Sequence, residues 1–154
     1  MYLPIIFPFR IRYSRKLQKH VRQSDIDNVL NYVSDYILNE GGEEIRIDKN
    51  QLTFGTSFFN FRLNNHIFKS IDEGKFTLLN TENESLLIYD IFMYKIILMF
   101  LAFEIFVGYY FQSFALGIFI FGGLGVNWIS KIIRHRSMFG HIISGINKLN
   151  TSEQ

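Results

Sequence analysis

The chain has no cysteine, which excludes disulfides, thiolate metal sites and a cysteine nucleophile. It has only 2 prolines, too few for a collagen-like or proline-rich linker chain. Charged residues make up 19%, against about 25% in ordinary globular chains. The net charge of +2 is too small to point to nucleic acid as a partner. Gly41-Gly42 has no Lys-Ser/Thr after it, so no phosphate loop is present, and no serine sits on a nucleophile elbow. His20, His66, His135 and His141 lack metal-ligand spacing. No cofactor, metal or catalytic constellation is therefore expected, and the chain reads as a non-enzyme. What it has instead is apolar and aromatic: 48% hydrophobic, 17% aromatic, with 17 phenylalanines in 154 residues. That composition excludes a disordered chain and fits about one domain.

The charges are unevenly placed. Arg10, Arg12, Arg15, Lys16, Lys19 and Arg22 form a basic arm without an acid. Residues 23–90 hold five basic against twelve acidic residues. From Ile96 to Ser130 the only charge is Glu104, and Lys131, Arg134 and Arg136 follow.

The first 90 residues read as an α+β domain in the order β-α-β-β-β-β, an antiparallel sheet with one helix. Ser24 to Asn39 is the helix: Ser24 is a candidate cap, and Ile26, Val29, Leu30, Val33, Tyr36 and Ile37 make one apolar stripe. Gly41-Gly42 ends it. Strand-like alternation appears over Phe7–Tyr13, Glu44–Asp48, Leu52–Phe54, Phe59–Leu63, Lys75–Leu79 and Leu86–Tyr89, with Ile67–Ile71 a further short candidate. Short polar turns separate them and favour antiparallel pairing. Asp72-Glu73 reads as turn chemistry.

The weakly charged stretch predicts a transmembrane helical hairpin over 91–133. Ile91 to Phe111 and Phe114 to Ile133 are each close to the roughly 20 residues that a span needs. The flanking Lys95, Lys131, Arg134 and Arg136 then put both termini on the cytoplasmic side of a bacterial inner membrane. Residues 134–154 form an amphipathic C-terminal tail, lying either on lipid or on the protein's own domain.

Several residues are candidates for function in that setting. Glu104 falls near mid-bilayer with no cation in reach, so it is either a proton- or partner-binding carboxylate or a neutral, structurally tolerated one. Asn127 is a polar residue suited to an interhelical hydrogen bond. Ser113, Gly117, Gly122 and Gly125 allow close helix packing, within the hairpin or in an oligomer seam. The basic arm and the Lys131, Arg134, Arg136 cluster attract anionic headgroups or act as topology signals.

The run Gly125-Val126-Asn127-Trp128, with Arg134-His135-Arg136, Met138 and Phe58-Phe59-Asn60-Phe61-Arg62, resembles small uncharacterised two-span membrane proteins of Bacteroidota. The resemblance implies a two-span topology and no activity. The sequence thus predicts a non-enzymatic integral membrane protein, an interaction or assembly subunit whose partners are lipids and another membrane protein or further copies of itself. The alternatives are a homo-oligomeric transport or ion-conducting protein using Glu104, and a lipid-recognising protein.

Overall fold

The computed structural model describes residues 10–55, 68, 71–111 and 114–152. They form an α+β fold: β1 (Arg10–Lys16), α1 (Ile26–Asn39), β2 (Glu43–Asp48), β3 (Gln51–Gly55), β4 (Glu73–Asn80), β5 (Ser85–Phe92), α2 (Tyr94–Phe111) and α3 (Phe114–Ser152). The strands make one antiparallel sheet in the order β1-β5-β4-β3-β2. The predicted strand Phe59–Leu63 and the first residues, Met1 to Phe9, lie outside the described residues. So does Phe58–Arg62. Of Ile67–Ile71 only Phe68 and Ile71 are described.

Period-two alternation gives the sheet two unlike faces. The inner face presents Ile11, Tyr13, Leu52, Phe54, Phe76, Leu78, Leu87 and Tyr89, all buried. Two helices cover it. α1 brings its stripe of Val29, Leu30, Val33 and Ile37, and the second half of α3 brings Met138, Phe139, Ile142 and Ile146. The aromatic rings interlock: Tyr89 stacks on Phe76 at 4.3 Å between centroids and on Tyr13 at 5.9 Å. Gly74 sits under this layer because any Cβ there would overlap the Phe54 ring.

α1 ends as its glycines require. Gly41 adopts φ 83, and the Gly42 and Gly41 N–H groups donate to the carbonyls of Ile37 and Leu38. This Schellman closure satisfies the last helical carbonyls. The start differs from expectation: Gln23–Asp25 is a short 3-10 turn, and Ser24 donates its hydroxyl to Asp25 rather than capping α1.

Among the described residues, no helix is long and apolar enough to cross a membrane. This overturns the transmembrane hairpin and, with it, the multi-pass inner-membrane placement with cytoplasmic termini. The reading as an integral membrane subunit, with its transport and lipid-recognising alternatives, falls for the same reason. The physical cause is at both ends of the apolar run. Ile91 and Phe92 are the last residues of β5, paired with Ile11 and Arg10, and Met93 is in the core. That leaves an α2 of 18 residues carrying Lys95 and Glu104, about 27 Å long against a hydrocarbon core of about 30 Å. At the other end α3 continues unbroken for 39 residues, and Ile132 and the turns after it pack into the domain core.

α2 packs chiefly on α3. Its start is tied to the sheet by Asp72, whose Oδ2 accepts the Lys95 N–H at 2.8 Å.

Candidate functional site

Three groups of polar contacts stand out among the described residues: the outer sheet face, one buried pair beneath the inner face, and Ser85 with Asn80, His20 and the Val21 N–H. On the outer face β1 presents Arg10 and Arg12. The antiparallel register places Arg12 beside Asp90 and Asp90 beside Lys75. Arg12 donates Nε and Nη2 to the Asp90 carboxylate at 2.7 and 2.9 Å. Arg10 donates Nε and Nη2 to the same carboxylate at 3.2 and 2.7 Å. The Asp90 side chain is only 4% exposed, while both arginines stay about one-third exposed. One buried carboxylate thus clamps two guanidiniums in fixed orientation. Arg10 also lies over the Phe92 ring, 5.6 Å from its centroid.

The second place is the contact of α3 with the sheet. His135 is fully buried, and its Nδ1 lies 3.1 Å from the Tyr89 hydroxyl. Its Nε2 has no hydrogen-bond partner among the described residues. Burial pulls the His135 pKa down to about 4, helped by Lys131 and Arg134. The same burial pushes Tyr89 well above its ordinary range and raises Tyr13 to about 12. Tyr13 donates its hydroxyl to the Ile132 carbonyl at 2.9 Å, tying β1 to α3. Lys131, half-buried beside this contact, has its pKa lowered by desolvation. The pair is neutral and closed to solvent, a packing element rather than a reactive one.

The sequence-predicted residues scatter. The basic arm does not form one patch. Arg10 and Arg12 point to the outer face, while Arg15 reaches toward Gly140 of α3. Lys16 pairs with Glu84, and Arg22 is exposed. Lys19 is half-exposed beyond the end of β1. Arg134 and Arg136 are exposed on α3. Glu104 lies half-exposed on α2, one turn before the buried Val107. Gly122 and Gly125 face open space, with no described atom within 4 Å of a Cβ at either position. Ser113 lies outside the described residues, and the surroundings of Gly117 and Asn127 on α3 are not among those described.

Two residues that matter most were missed. Asp90 is the single charge in the run Leu86 to Met93, and that isolation was the available signal. Lys75 has no hydrogen-bond or ion-pair partner among the described residues, and only the register shows that it stands next to Asp90. The described residues hold no group of three or more His, Asp or Glu able to bind a metal ion. Comparison with protein-family models, with curated proteins and with solved structures gives no match.

Proposed function

We propose that this chain is a non-enzymatic interaction module that assembles with a second copy of itself through the outward side of α2 and the first half of α3. The supporting observation is the unburied apolar surface there. Ile105 is 67% exposed, Tyr109 81%, Val126 70% and Ile133 61%, and Leu101 and Phe106 are also more than half exposed. A lone monomer rarely leaves this many large apolar side chains exposed on neighbouring helices in water.

The occupant follows from the charge pattern. Glu104 is the only charged residue between Ile96 and Ser130, so a partner chosen by charge has little to read. Two identical apolar stripes cover one another in a two-fold, self-complementary contact. Gly122 and Gly125, open to solvent, let a second backbone approach closely. His135 and Tyr89, whose pKa values burial shifts, lie inside the core and away from this surface.

The test is sedimentation velocity and light scattering on the full chain, with Val126→Glu as the disrupting variant. A dimer, at twice the 18.2 kDa of one chain, converted to monomer by Val126→Glu with unchanged circular dichroism, supports the proposal. A monomer at every concentration, or aggregates without a fixed stoichiometry, overturns it.

A further inference from the structure

The outer face of the sheet carries an open groove of about 440 Å³, on the side away from α1 and α3. Its walls are graded. By the strand register Arg10, Arg12, Asp90 and Lys75 stand together at one end beside the Phe92 ring, and Ile88 and then Leu79 give an apolar floor toward the other. Thr77 lies beside Ile88 and Gln51 beside Thr77, uncharged and able to donate or accept hydrogen bonds.

Asp90 uses the Nε and Nη2 groups of both arginines. The two Nη1 groups have no partner among the described residues, and neither does the Lys75 ammonium. Three cations around one carboxylate leave the cluster with a net charge of +2. Glu73 and Asp48, the nearest acids by register, are not among the walls of the groove.

The geometry points to a binding site for a small phosphomonoester with an apolar or aromatic body. A phosphomonoester carries about −1.5 to −2 charge at neutral pH, which matches the cluster. Guanidinium forks suit its oxygens, and a fixed fork is already oriented before the ligand arrives. The phosphate sits among the Arg10 and Arg12 Nη1 groups and Lys75. The body lies along Ile88 and Leu79. Asp90 touches no ligand; it is a positioning residue that holds the two guanidiniums. The site is independent of the self-association surface, since it uses residues of β1, β3, β4 and β5 and none of α2 or α3.

The test is calorimetric titration of the full chain with phenyl phosphate, phenol and inorganic phosphate as probes. The expected result is saturable one-to-one binding of phenyl phosphate, weaker binding of inorganic phosphate and none of phenol. Lys75→Gln weakens phenyl phosphate binding about tenfold, the cost of one charge-assisted hydrogen bond. It leaves the melting temperature nearly unchanged, because the Lys75 ammonium has no hydrogen-bond or ion-pair partner among the described residues. Lys16→Gln, outside the groove, leaves binding unchanged. Absence of saturable binding overturns the site. So does an equal loss with Lys16→Gln, which marks diffuse attraction, or full affinity in Lys75→Gln.

Discussion

The first half of α3 is almost chargeless and its second half is amphipathic, and their apolar side chains finish in opposite surroundings. Val126, Ile129 and Ile133 are more than half exposed, whereas Met138, Phe139, Ile142 and Ile146 are buried against the sheet. The helix does not break between them. Apolar spacing makes a helix with a stripe, but only a neighbouring surface decides whether that stripe is covered. In the second half the neighbour is the aromatic inner face of the sheet. In the first half it is α2, which is itself apolar around much of its circumference and cannot hide both sides at once.

The contrast is sharpest in side-chain truncation. Phe139 packs among Tyr13, Phe76 and Tyr89, at 5.9–6.3 Å between ring centroids. Phe139→Ala should destabilise the fold by about 3–5 kcal/mol. Ile129→Ala, on the exposed half, should cost no more than about 0.5 kcal/mol in the dilute protein. Urea denaturation of both variants measures the difference, and equal losses would erase the distinction between the halves.

Acid should attack the buried half selectively. His135 has a folded-state pKa of about 4 against 6.5 for the free side chain. The unfolded chain therefore takes up a proton below pH 6.5 that the folded one refuses until about pH 4. The associated stability is complete above pH 6.5 and is lost progressively between pH 6.5 and 4, by about 3 kcal/mol. His135→Phe should flatten that part of the stability profile. Denaturation midpoints across pH 4–7 check this, and an unchanged slope would show that His135 is not its source.

Glycines carry the same contrast with opposite sign. At Gly145 a Cβ would overlap the Tyr32 ring of α1, so Gly145→Ala should cost about 1–3 kcal/mol. At Gly122 a Cβ meets nothing within 4 Å, so Gly122→Ala should gain up to about 1 kcal/mol of helix stability. Thermal melts give both signs. If Gly122 also lies in the self-association seam, the same change weakens the dimer while raising the melting temperature of the dissociated chain.

The smallest effect concerns the root of α2. Asp72 accepts the Lys95 N–H and acts as a cap from the bend just before β4. Its pKa is raised by burial, a shift opposed by the Lys95 and Tyr94 N–H groups. Asp72→Ala should cost about 1 kcal/mol and speed amide exchange at Tyr94 and Lys95. Unchanged exchange there would place the anchoring elsewhere.

Much of the domain was legible residue by residue. The stripe from Ile26 to Ile37, the Gly41-Gly42 stop and the alternation in β1, β3 and β4 are local patterns with local causes. Ser24 misled because its cap hydroxyl found Asp25 instead. The end of β5 misled more: Ile91, Phe92 and Met93 continue an apolar run without periodicity, and such a run does not distinguish a buried strand from a helix. The groove was half visible. Arg10 and Arg12 share a face by alternation, but their partner Asp90 is 80 and 78 residues away.

The sequence by itself determined α1 with its glycine stop and the alternating strands β1, β3 and β4. Backbone periodicity, turn residues and glycine conformations act over a few positions, and those are written directly in the chain. Tertiary structure alone decided three things: that Ile91 pairs with Ile11 in the sheet, that His135 is sealed against Tyr89, and that Asp90 gathers Arg10 and Arg12 beside Lys75. Each depends on strand register or on a helix docking from far along the chain. Burial and charge pairing are properties of what a side chain meets, which no neighbour in sequence specifies.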